Sequence, residues 1–95
     1  MVYEMLINEV SAERRAAYIQ AYRETWKKVN RPGCQGVKFL ACIEKPSRII
    51  VQIAWDDVGA HERARQIPEH GTIREVGAAF DVKGEGVAHY TIEDL

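Results

Sequence analysis

The chain is short of cysteine, of proline and of any uniform stretch, and each shortage removes a class of protein. Two cysteines, Cys34 and Cys42, with no CxxC partner for either, do not make a disulfide scaffold. Their expected state is the reduced thiol, acting as a small apolar side chain. No apolar run approaches the roughly 18 residues of a membrane span. The opening MVYEMLINEV carries acids where a secretory signal has a basic start and a long apolar stretch, so the expected location is cytoplasmic and no membrane partner is implied.

Neither sign of charge dominates. Thirteen Lys and Arg against fourteen Asp and Glu leave a formal charge of -1, and the signs are interleaved, so the basic surface that nucleic acid selects is missing. Gly33, Gly36, Gly84 and Gly86 do not fall between a strand and a helix at the spacing of a phosphate-cradling loop. Ser11 and Ser47 lie in a cap and a turn without a nucleophile signature. His61 and His70 are nine apart with Pro68 between them, which does not put both on one helical face as metal ligands. His89 is on another element, and no metal site is expected.

What is present is one ordinary folded domain over residues 1–95, with no linker, repeat or low-complexity segment. VYEMLINEV alternates, with Tyr3, Met5 and Ile7 on one face and Val2, Glu4, Leu6, Asn8 and Val10 on the other, which predicts a strand over about residues 2–10. Ser11 stands where a helix cap belongs, and Ile19, Tyr22, Trp26 and Val29 recur at helical spacing, predicting about five turns with Trp26 facing the core. Pro32 ends that run. VKFLACIE and RIIVQIAW read as a hairpin joined through KPS. Asp56 or Asp57 can cap the next helix, whose Ala60, Ala64 and Ile67 form a stripe, and Pro68 splits it from a second stretch carrying Ile73, Val76 and Phe80. DVKGEG reads as a loop and VAHYTIE as the last strand.

The order β-α-β-β-α-β predicts an α+β ferredoxin-like sandwich. Its helices cover one sheet face and leave an apolar face bare. A second copy of the chain is the simplest cover, which predicts a symmetric homodimer with a cavity enclosed near the facing sheets.

Five residues are candidates for a small-molecule site. Trp55 ends a strand beside a loop, where pockets form, and serves equally well as a core or interface anchor. His61 lies one step off the alanine stripe; residue-type tendencies favour solvent for it, but the edge of the core is within reach. His70 follows the proline break, placed for a cavity or a cap. His89 and Tyr90 point to opposite faces of the last strand, so only one can meet a cavity. Whichever of His61 and His70 faces the pocket is the candidate acid or base, because a near-neutral imidazole is the usual proton carrier. Asn8, with Trp55 and His89, is a candidate for holding substrate.

NRPGCQGVKF, a strand ending in Trp-Asp-Asp, and GAHERARQIPEHG together resemble the antibiotic biosynthesis monooxygenase domain family. Its Pro-Gly-x-x-Gly turn, its strand-ending tryptophan with following acid, its alanine five residues later and its Pro-x-His element correspond to Pro32, Gly33, Gly36, Trp55, Asp56, Ala60, Pro68 and His70. The resemblance implies a dimeric α/β barrel built from two ferredoxin-like sheets. It also implies chemistry in the manner of relatives that oxidise quinols or aromatic polyketides with O2, without metal or flavin. Val51 replaces the asparagine of polyketide-oxidising relatives, His61 a tyrosine and Ala64 a histidine. Ala64 and Arg74 also lack the tryptophan and histidine of the haem-degrading branch, and haem degradation is not expected. The expected function is a cofactor-independent monooxygenase acting on a small aromatic or quinol. A non-enzymatic binding domain, suggested by apolar Val51 and Ala64, and an isomerase or cyclase are the alternatives.

Overall fold

A computed structural model describes all of residues 1–95. The elements are strand β1 (Val2–Glu9), a 3-10 turn (Ala12–Arg14), helix α1 (Arg15–Trp26), β2 (Cys34–Ala41), β3 (Arg48–Trp55), α2 (Val58–Ala64), α3 (His70–Ala79) and β4 (Lys83–Tyr90). The strands form one antiparallel sheet in the order β2-β3-β1-β4. This is the expected ferredoxin-like arrangement, with the second helix split at Pro68.

The sheet is not a barrel, which corrects the fold expected from the family resemblance. β2 and β4 are free edges with no pairing between them, and four twisted strands fall well short of the roughly eight that usually close such a structure. No helix is long and apolar enough to cross a membrane.

Strand alternation decides which side chains meet the helices. Ile49, Val51, Ile53 and Trp55 of β3 are buried and join Val10, Tyr18, Tyr22, Ala60 and Ala64 in the core. Each large apolar side chain buried there contributes roughly 1.5–3 kcal/mol. Glu4 and Asn8 of β1 face the same way and are also buried. The opposite face stays uncovered, with Tyr3, Met5, Ile7, Ile50 and Tyr90 around a shallow hollow of about 270 Å³.

Several local expectations shift. α1 runs for 12 residues, just over three turns instead of five. Ser11 precedes the 3-10 turn without a side-chain capping bond, whereas Asp57 caps α2 by accepting from the Ala60 N–H at 2.8 Å. Lys83 to Gly86, expected as loop, belong to β4. Gly84 permits this: a Cβ there would lie 2.7 Å from Asn8 Oδ1, beside the register shift between Leu6 and Asn8. Gly33, at φ +85°, likewise lets its turn press on α2, where a Cβ would meet the Ala60 Cβ at 2.7 Å. Asp56 N–H donating to Gly33 O at 2.8 Å ties that turn to the end of β3.

Candidate functional site

A cavity of about 470 Å³ lies beneath the helices, on the sheet face that they cover. β1 supplies Glu4, Leu6 and Asn8 to its wall; α1 supplies Tyr18, Tyr22 and Trp26; α3 contributes from His70 to Ala78; β4 adds Gly84 and Val87. It opens where it does because α2 and α3 are separate short helices, so the layer over β1 and β4 is incomplete. Its volume is within the range of small-molecule sites.

Glu4 organises one end. The β1 register sets it opposite His89 on β4 and opposite Ile53 on β3, which brings Trp55 onto the diagonal of the same sheet face. Trp55 Nε1–H donates to Glu4 Oε1 at 2.9 Å. His61, on the first turns of α2, stacks on Trp55 with ring centres 5.0 Å apart and planes at 19°. Its Nε2 lies 3.3 Å from Glu4 Oε1 and its Nδ1 2.7 Å from His89 Nε2. With Glu4 ionised, the bonds are consistent when His61 Nε2–H donates to Glu4 and His89 Nε2–H donates to His61 Nδ1. The result is a hydrogen-bonded chain from the cavity wall to half-buried His89.

Burial is the first cause of the perturbed proton affinities along this chain. It raises the Glu4 carboxyl above its ordinary value, against the opposing pull of the Trp55 hydrogen bond and the nearby positive charge. It lowers the His61 imidazole, with help from His89. A carboxylate made more basic beside an imidazole made less basic brings the two affinities closer together, and a proton passes more readily between groups so matched.

The other end is organised by Arg31, which is only 8 % exposed. Its guanidinium lies 4.5 Å from the Trp26 ring centre, and its Nη1 is 3.0 Å from His70 Nδ1. Arginine has no acceptor, so His70 Nδ1 accepts and the His70 ring is neutral with its proton on Nε2. Burial, then the charge of Arg31, lowers the His70 affinity for a second proton, in agreement. Nε and Nη2 of Arg31 are buried without a hydrogen-bond partner.

Both candidate acid–base residues, His61 and His70, therefore border the cavity, at different ends. His61 is 4 % exposed, against the solvent position that residue-type tendencies favour. Asn8 lines the cavity, its Nδ2–H₂ lying 3.5 Å from the Tyr18 hydroxyl. Trp55 is fully buried behind Glu4 and His61, and His89 stands behind His61; neither is part of the wall. Trp26, expected as core alone, lines the cavity and stacks on Tyr22 at 5.8 Å.

Glu4 and Arg31 are functional candidates that the sequence reading does not single out. A signal for Glu4 was available, since it is the one acid on the strand face that also carries Leu6 and Val10. Arg31 offered none beyond preceding Pro32. No three His, Cys, Asp or Glu side chains are grouped to hold a metal ion, and Cys34 and Cys42 are free thiols.

These features define a ferredoxin-like α/β domain with a pocket of small-molecule size, walled at one end by a buried acid–imidazole chain. The model of the antibiotic biosynthesis monooxygenase family matches residues 1–76, and the chain belongs to that family. A solved structure from Bordetella bronchiseptica, assigned as an antibiotic biosynthesis monooxygenase, is 26% identical with a TM-score of 0.77, over 97% of this chain and 96% of that one. A similarly assigned protein from Deinococcus radiodurans is 18% identical with a TM-score of 0.77, over 100% of this chain and 95% of that one. SnoaB, a cofactor-independent oxygenase from Streptomyces nogalater, is 16% identical with a TM-score of 0.76, over 99% and 94%. Comparison with curated proteins gives no match.

Proposed function

We propose that the protein is a cofactor-independent monooxygenase that oxidises a small phenolic or quinol-type substrate with O2 in the cavity under its helices. The observation that carries this reading is the Glu4–His61 pair on the cavity wall, backed by His89, in a member of a family named for monooxygenases and with the fold of a cofactor-independent oxygenase. Glu4, assisted by His61, takes the phenolic proton. The electron-rich anion then passes an electron to O2, and the resulting carbon radical and superoxide combine. The peroxide so formed takes back the proton held at Glu4, and the hydroperoxide loses water together with the hydrogen on the oxygenated carbon, so that one oxygen atom stays as a carbonyl, the substrate is oxidised to the quinone and the other oxygen leaves as water. The apolar part of the wall favours this sequence by excluding bulk water, and the charged and hydrogen-bonding groups beside it hold the charged intermediate.

The geometry favours His61 over His70 as the assisting group. His61 meets the Glu4 carboxylate directly, whereas His70 Nδ1 is held by Arg31, leaving its Nε2–H as a donor suited to holding an oxygen atom. Trp55 acts here through Glu4 and not by touching substrate, and His89 acts through His61. Asn8, on the wall, is the amide that orients an oxygen.

The test is oxygen uptake by purified protein with a panel of hydroquinones and anthrones. Uptake that falls to background in Glu4→Gln and His61→Ala supports the proposal; no uptake above those variants removes it. Product formation that survives without O2 would instead identify an isomerase or cyclase using the same base. The reading includes a homodimer in which a second copy covers the face carrying Tyr3, Met5 and Ile50, since that face is apolar and uncovered.

A further inference from the structure

Of the three nitrogen atoms on the Arg31 guanidinium, one reaches His70 and the other two have no partner although the residue is 92 % buried, being 8 % exposed. Leaving charged donors unpaired in a protein interior is costly, and a folded chain has little reason to retain such an arrangement unless something else completes it. The surroundings indicate what. Arg31, Arg65 and Arg74 all contribute to the cavity wall, against a single carboxylate, Glu4, at the opposite end. The guanidinium carbon lies over the Trp26 ring, and the N–H bonds of a guanidinium lie in its plane, so its edge is the bonding direction. A guanidinium edge presents two parallel N–H bonds at the spacing of a carboxylate.

We infer that Arg31 is an anion subsite, and that the natural ligand of the cavity is an aromatic carboxylate whose ring lies toward Glu4 and His61 and whose carboxylate pairs with Nε and Nη2 of Arg31. Nε and Nη2 form the one edge of the guanidinium left without a partner, while His70 holds Nη1 on the other. The ring then lies between Trp26 and the apolar wall of Leu6 and Ile73. The placement of the ring rests on the function proposed above; the Arg31–carboxylate pair does not.

The experiment compares gentisate, a hydroquinone carboxylate, with gentisamide, its neutral amide, by calorimetric titration under anaerobic conditions so that no turnover intervenes. The acid is expected to bind at least tenfold tighter to the native protein, which corresponds to about 1.4 kcal/mol. Arg31→Gln is expected to abolish that preference. Arg31→Lys keeps the charge but not the fork and should retain only part of it. Because Arg31→Gln removes a buried stack and could impair folding, a second measurement needs no variant: the Arg31 Nε–H signal in nitrogen–proton correlation spectra should shift on addition of gentisate and not of gentisamide. Equal affinity for acid and amide, or an unmoved Arg31 signal at saturation, overturns the inference. Oxygen uptake with uncharged hydroquinone is unaffected by either of these results, so failure here and failure of the oxygenase reading are told apart.

Discussion

His61 Nδ1 lies 2.7 Å from His89 Nε2, a bond that ties α2 to the edge strand β4. It also sets the tautomer of one ring by that of the other. Burial is the main cause of the low proton affinity of His61, and His89 adds to it. Replacing His89 by glutamine should therefore raise the His61 pKa back toward its ordinary value of 6.5. Proton NMR titration of the imidazole signals measures this directly, and a His61 pKa that stays put or falls would contradict the assigned coupling.

Glu4 separates stability from activity. Its folded-state pKa is raised, so its favourable contribution to stability is complete below the ordinary value near 4.5 and is lost as pH rises through the folded value. Glu4→Gln removes the ionisation while keeping an oxygen that accepts from Trp55. The variant should be at least as stable as the native protein at pH 7 and show less loss of stability between acid and neutral pH, as read from urea midpoints. Its oxygen uptake should fall by a factor on the order of 10² to 10⁴, the usual contribution of a positioned base. A variant that is less stable at neutral pH yet fully active would reverse both assignments.

The element order and the split second helix were legible in the sequence, and the cap of α2 was narrowed to Asp56 or Asp57, because each rests on local chemistry: a period of two, a proline, a short acid before a helix. The open sheet was not, because the resemblance describes an assembly whereas this chain on its own ends in two free edges. β4 was read short because glycine and lysine argue against a strand, and the space for Asn8 that makes Gly84 useful exists only once β1 has paired with it. The site was half legible. His61 could be placed one step off the alanine stripe of α2, with solvent favoured over the core edge where it lies; its partners come from β1 and β4, and only the register brings Glu4 and His89 together.

The turn before β2 should be intolerant of any side chain. Gly33 combines φ +85° with a Cβ position 2.7 Å from the Ala60 Cβ, and both neighbours are fixed, one by the Asp56–Gly33 bond and the other by full burial in the core. Gly33→Ala is expected to cost roughly 2–4 kcal/mol from left-handed backbone and overpacking together. Gly36, at φ +144° with nothing within 4 Å, lacks the steric part and should cost less on substitution by alanine. Thermal unfolding of the two variants side by side checks the order, and equal losses would remove the Gly33–Ala60 contact as the cause.

The uncovered sheet face gives a prediction about assembly. Ile50 lies at the centre of that face on β3, paired with Ile7 of β1, and both border the shallow hollow there. Ile50→Lys leaves the buried core untouched, so the fold should survive while any association through this face is lost. Light scattering should give twice the chain mass for the native protein and the chain mass for the variant, with unchanged circular dichroism. A native protein that is monomeric at micromolar concentration removes the homodimer.

Acid should destabilise the protein through its two cavity histidines once Glu4 is taken out of the balance. His61 and His70 both have lowered folded-state pKa values, burial being the first cause for each. As pH falls below the ordinary value of 6.5, the unfolded chain takes up protons that the native state refuses, so stability present above 6.5 is lost as pH drops through the folded values. Glu4 acts in the opposite sense over an overlapping range, and the Glu4→Gln background isolates the histidines. In that background urea midpoints should fall from pH 7.5 to pH 5, and adding His70→Gln should remove part of the fall, because glutamine can still accept from Arg31 Nη1 but cannot titrate. An unchanged pH dependence after His70→Gln would mean that the Arg31–His70 bond does not hold that imidazole neutral.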